Sequence, residues 1–217
     1  MSNNIFYLDH RTSVDFFEMK SSTLDIVELL LNAVAFIRQN QGNPNSGHGC
    51  IKLVESFNTR LFFFQEKKYF SIILPFRHCE ENGELLFYYN SIKIDSTFSS
   101  ALLSLLKYAS GNVIAGLDDF EGEIDVVNEG LVNSGQLNLI YRSLLSEEFG
   151  YLRYDFDEKN ENGRLHPLNH LDINYSNRAT YKLGLENAPS EDEFVDMLDG
   201  KTDCWYLKGR VKSFAQK

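Results

Sequence analysis

Between Cys50 and Tyr89 the chain carries four short runs rich in β-branched, aliphatic and aromatic residues: Cys50–Glu55, Thr59–Gln65, Tyr69–Pro75 and Leu85–Tyr89. The stretches between them hold Asn58, the pair Lys67-Lys68, and Glu80-Glu-Asn-Gly83. Asn82-Gly83 is the strongest hairpin signal, because a type I′ turn needs two residues that tolerate positive φ. Strands joined by short turns pair antiparallel, so these runs predict an antiparallel meander. Phe62, Phe64, Ile72 and Leu74 are expected to form its buried face, with the far side polar or given to an interface.

Helices flank the strands. Ser22-Thr-Leu-Asp25 has the form of a capping box with Asp in place of Glu. It opens a stripe of Ile26, Leu29, Leu30, Ala33, Val34 and Ile37 at three-and-four spacing, which predicts a helix running to about Gln39. Phe98–Tyr108 and Leu137–Phe149 read as further helices. The fold class is therefore α+β, an antiparallel multi-stranded sheet with several packed helices. A chain of 217 residues buries a substantial core without disulfides or metal. A single domain is expected over 1–217, with a helix and sheet in 1–150 and histidine-bearing strands and a helix in 151–217.

The formal net charge of −10 disfavours non-specific nucleic-acid binding, which rests on clustered Lys and Arg. Asp118, Asp119, Glu121, Glu123 and Asp125 lack EF-hand spacing and read as a solvated acidic loop. Gly42–Gly49, with His48 between glycines, has no Lys or Ser/Thr at P-loop spacing and reads as a plain connection. Lys208–Lys217 reads as a mildly basic, solvated tail. Cys50, Cys79 and Cys204 form no CxxC pair and suit a reducing compartment. No signal-peptide pattern opens the chain, and Ile26–Ile37 is too short and too charged to span a bilayer. The expected location is the cytoplasm, with no membrane association. The aromatic content (17 Phe and 11 Tyr) is heavy, and the apolar excess around Phe62 to Phe70 predicts burial against a partner chain, in a homo- or hetero-oligomer.

From Tyr151 the pattern alternates again. Leu152, Tyr154 and Phe156 point one way, and Arg153, Asp155 and Asp157 the other. Pro167 holds His166 extended, and Leu171, Ile173 and Tyr175 favour a strand that places His166, Leu168, His170, Asp172 and Asn174 on one face. Ala179–Leu185 reads as a third strand carrying Lys182. The three strands together bring Arg153, Asp155, His170, Asp172 and Lys182 to one face, provided that no strand slips by a residue. That face is expected to be wet. His166 and His170 are the acid–base candidates, with Asp155 and Asp172 as their carboxylate partners and Asp155 orienting a histidine. Arg153, Arg178 and Lys182 are the candidates to hold phosphate. His166, His170 and Asp172 have donor types that suit a transition metal, but no metal and no cofactor is assigned. Alternating charges on neighbouring strands also stabilise a sheet with one wet face without any activity.

The run Arg153-Tyr-Asp155, followed by His166-Pro-Leu-Asn-His170-Leu-Asp-Ile173, resembles a bacterial domain of unknown function carrying R-x-D, HP-x-x-HLHI and a later Arg. Arg178 matches that Arg, and Ser190–Val195 the helix start that follows. The resemblance covers roughly the last third of the chain, and Asp172 stands where the pattern has its third histidine. It implies a setting in antiphage defence or toxin–antitoxin systems and no settled activity. Two functions follow: a non-catalytic protein-binding subunit of a defence or regulatory complex, or a toxin-like or nuclease-like effector using His166 and His170 on nucleic acid.

Overall fold

The computed structural model describes residues 4–39, 47–111, 124, 130–163, 165–176 and 180–202. In chain order the first elements are β1 (Asn4–Tyr7), α1 (His10–Phe17), α2 (Thr23–Gln39), β2 (Cys50–Glu55), β3 (Thr59–Gln65) and β4 (Lys68–Ile73). Next come β5 (Arg77–Glu81), β6 (Glu84–Tyr89), β7 (Ile92–Lys93), α3 (Ser96–Gly111) and α4 (Ser134–Leu145). The last are β8 (Leu152–Phe156), β9 (Asn169–Ile173), β10 (Tyr181–Leu185) and α5 (Glu191–Asp196). The fold is α+β, as the alternation of the two hydrophobic periods implies. No helix among the described residues is long and apolar enough to cross a membrane.

Two compact units are assembled from discontinuous stretches. One takes Met1–Ser13, Ser46–Ile73 and Gly150–Lys217. It holds a seven-stranded antiparallel sheet in the order β1-β2-β3-β4-β8-β9-β10. The histidine-bearing strands therefore extend the sheet begun by β1 to β4, with β8 hydrogen-bonded along β4. On one face Cys50, Val54, Phe62, Phe64, Leu152, Tyr154 and Leu171 gather around Phe194 of α5. Phe194 meets Phe62, Phe64 and Tyr69 edge-on, a favourable arrangement of aromatic quadrupoles. Ser190 caps α5 with a full capping box to Glu193. At the mouth of β2, Gly49 has φ +120°, and a Cβ there would lie 2.4 Å from the Phe64 carbonyl oxygen, so only glycine fits.

The opposite face of the central strands is apolar, which sets aside the polar one of the two expected alternatives. Ile51, Leu53, Leu61, Phe63, Phe70 and Ile72 share it and are all buried. A strand reading Leu61-Phe62-Phe63-Phe64 supplies both faces with large apolar groups, as strands buried on both sides do. All four phenylalanines, Phe62, Phe63, Phe64 and Phe70, are buried within the chain.

The second unit takes Val14–Asn45 and Leu74–Phe149. In it α2 packs against α3, α4 and β6, burying Ile26, Leu30, Ala33, Val34 and Ile37. Ser22 and Asp25 close the expected capping box at its start. The fourth run of the supposed meander, Leu85–Tyr89, belongs here instead. It forms β6 of a three-stranded sheet, β5-β6-β7. Its partner β5, Arg77–Glu81, is too polar to announce itself as a strand, but the hairpin is the expected one: Asn82 and Gly83 have φ of 53° and 81°. The five acids of the 118–125 stretch, most of Gly42–Gly49, Arg178 and the Lys208–Lys217 tail lie outside the described residues.

Candidate functional site

Strand alternation assembles the cluster. In β8, Leu152 and Tyr154 go to the α5 face, which turns Arg153 and Asp155 to the other. Arg153 lies opposite Asp172 of β9, and Asp172 opposite Lys182 of β10. Asp155 lies opposite His170, and His170 opposite Gly184. The structure thus brings Arg153, Asp155, His170, Asp172 and Lys182 together on one face, in the register the alternation required.

Arg153 ties the carboxylates. Its Nε donates to Asp155 Oδ2 at 2.6 Å, and one terminal nitrogen donates to Asp172 Oδ2 in a short charge-assisted bond. Burial works against the guanidinium charge, but Asp155, Tyr151 and Asp172 outweigh it and hold its pKa above the ordinary value. Burial pushes the neighbouring Tyr151 phenol up to about 12.

His170 Nδ1 lies 2.8 Å from the Pro167 carbonyl oxygen. A carbonyl only accepts, so Nδ1 carries the proton and leaves the Nε2 lone pair free to accept. It accepts from Lys182 Nζ at 2.9 Å. The same ammonium is 3.0 Å from Asp172 Oδ1, an ion-pair distance, although the angles do not make a hydrogen bond and this buried oxygen has no hydrogen-bond donor. Two carboxylates, one guanidinium, one ammonium and a neutral imidazole sum to zero charge.

A second pair lies beside the first. His166 Nε2 is 3.0 Å from Asp157 Oδ2. Side-chain and backbone N–H groups of Asn160 hold the Asp157 carboxyl below its ordinary range, with help from His166. The His166 ring stands edge-on to the His170 ring, centroids 4.8 Å apart. Pro167 presses on the sheet at Gly184, where an added Cβ would meet its Cγ at 2.8 Å. The loop leading into β9 therefore lies over His170, and only a glycine opposite that histidine lets it seat.

These contacts correct three expectations. The face is not wet at its centre: the His170 side chain is 1% exposed and Asp172 5%, and the Pro167 loop contacts His170 and its neighbour Gly184. Asp155 does not orient His170, since its oxygen is 4.0 Å from Nε2, and the Pro167 carbonyl does so instead. His166 is outside the strand and, among the described residues, joins no metal-type donor group. The three donors that converge, all within 4.8 Å of one another, are Asp155, His170 and Asp172. Arg153 and Lys182 face carboxylates, and Arg178 is outside the described residues. Asp157, which sequence reasoning left out of the site, partners His166. Its position one residue past β8 was the only signal, and a strand of uncertain length hides it. Neither a family model, nor a curated protein, nor a solved structure matches this chain.

Proposed function

We propose that this chain is a non-catalytic, protein-binding subunit of a bacterial antiphage-defence or regulatory complex in the cytoplasm. One observation carries the non-catalytic part: His170 is buried with both ring nitrogens engaged, one by a backbone carbonyl and one by an ammonium. A general acid or base must reach the proton it transfers, and neither nitrogen of His170 is open to a substrate. Arg153 is likewise spent on Asp155 and Asp172. The defence setting comes from the R-x-D and HP-x-x-H resemblance. For binding, the sheet ends at β10, whose Tyr181 is 57% exposed. An edge strand offers unpaired N–H and C=O groups to a partner.

The alternative, a toxin-like or nuclease-like effector, is favoured by the partly exposed His166–Asp157 pair, each side chain 24% exposed. A histidine held by a carboxylate is the usual form of a general base. Two variants separate the readings. His166→Ala is expected to leave the cellular phenotype unchanged, and Tyr181→Glu to abolish co-purification with the products of neighbouring genes at an unchanged circular dichroism spectrum. Loss of phenotype in His166→Ala, with fold and complex intact, overturns the subunit reading in favour of the effector.

A further inference from the structure

We propose that Asp155, His170 and Asp172 form a binding site for a divalent transition metal ion of the zinc class, closed here by the Lys182 ammonium seated between His170 and Asp172. This goes beyond the protein-binding reading and does not depend on it.

The donor atoms come from two neighbouring strands, which fix them more firmly than loops would. Among the described residues they are the one group of three such ligands that converges. Their supports are those of a metal centre. The Nδ1–H of His170 donates to the Pro167 carbonyl, which sets the tautomer and aims the Nε2 lone pair into the cluster, as the outer partners of metal-bound histidines do. Arg153 fixes both carboxylates with its two arms.

Asp172 supplies the second, independent sign. Its Oδ1 is buried and accepts no hydrogen bond, yet faces a cation 3.0 Å away. A carboxylate oxygen in that state calls for a positive charge without directional demands, as a metal ion provides. Lys182 meets it incompletely. Its Nζ sits 2.9 Å from His170 Nε2 and 3.0 Å from Asp172 Oδ1, so it stands between two of the three ligands. It is also the member best able to leave. Lys182 lies on the outermost strand, its side chain is one-third exposed, and its four-carbon stem can carry the ammonium into water.

The donor set selects the ion. One imidazole and two carboxylates suit zinc and its neighbours better than calcium or magnesium, which favour oxygen donors. Ion and ammonium compete for two of the same donors, His170 Nε2 and Asp172 Oδ1, so removing the ammonium tightens metal binding.

The test is isothermal titration of the chelator-stripped full chain with zinc chloride, in wild type and in Lys182→Met, His170→Ala and Asp155→Asn. Lys182→Met is expected to bind one equivalent about tenfold or more tightly than wild type. Each ligand variant is expected to lose about tenfold or more, on the scale of metal-site perturbations. Asp155→Asn alters the more exposed carboxylate and gives a folded comparison if His170→Ala does not fold by circular dichroism. The assignment is overturned if Lys182→Met takes up no stoichiometric zinc or binds no more tightly than wild type. It is equally overturned if the bound equivalent persists undiminished in Asp155→Asn, which would place it elsewhere on the chain.

Discussion

Replacing Arg153 by Met probes the charged cluster most directly. The substitution keeps much of the side chain's length while removing the guanidinium from two carboxylates. Asp172, at 5% exposure, keeps only the Lys182 ammonium. Asp155, at 18% exposure, loses the guanidinium that donates to its Oδ2. Removing one partner of a buried pair typically costs about 3–5 kcal/mol, because the stranded charge stays desolvated. Partial access of water to Asp155 puts the expectation at the lower end, about 3 kcal/mol. With a urea m-value of about 2 kcal/mol per M, the midpoint falls by about 1.5 M, read by circular dichroism with m-values compared. Adding Asp155→Asn and Asp172→Asn to Arg153→Met is expected to recover part of the loss, since neutral amides are cheaper to bury than unpaired carboxylates and Lys182 can turn to water. A loss below about 1 kcal/mol, the scale of an exposed ion pair, would refute the reasoning. So would a triple variant markedly less stable than the single one.

Three further outcomes follow from the same geometry. Gly184→Ala places a Cβ 2.8 Å from Pro167 Cγ and should cost about 1–3 kcal/mol by overpacking; Pro167→Ala in the same chain should restore part of it in denaturant titrations. Ser190→Ala removes the capping box that starts α5 and should cost about 1 kcal/mol, seen as faster amide exchange around Phe194. Asp157 has its folded pKa depressed below the ordinary 3.8, so its contribution to stability is present above that value and lost as pH falls through the folded pKa. By carboxyl NMR it should titrate below 3.8 in the wild type, and Asn160→Ala should move the midpoint upward.

Much of this was legible because period and chemistry agreed. The three-and-four stripe from Ile26 to Ile37 and its Ser22 cap placed α2, Asn82-Gly83 placed a hairpin, and two-fold alternation placed Arg153, Asp155, His170, Asp172 and Lys182 on one face. What escaped was long-range. Pairing of β6 with the polar β5, rather than with β4, depends on partners that strand propensity does not encode. Burial of His170 depends on a loop folding over Gly184, and nothing at positions 166–170 alone announces it. Asp157 was hidden because a boundary error of one residue decides whether it continues the strand or turns to meet His166.

The cluster also has a sufficient structural reason to exist. Slipping β9 by one residue against β8 would carry His170 and Asp172 to the face where Tyr154, Leu171 and Phe194 pack. There Asp172 would lose both Arg153 and Lys182 in an apolar layer. Charge stranded in this way costs about 3–5 kcal/mol, more than the few tenths to 1 kcal/mol that separate one cross-strand pair from another. Complementary charges on β8, β9 and β10 thus specify one register among several that hydrophobic alternation would tolerate. A histidine among acids and bases on adjacent strands is therefore no evidence of catalysis by itself, because register alone accounts for the charges. Access decides. His170 has none, His166 has some, and Lys182 is the one charged side chain of the five with a substantial opening to water. Whatever this face does beyond holding the sheet in register, solvent reaches it through the edge strand, at Lys182.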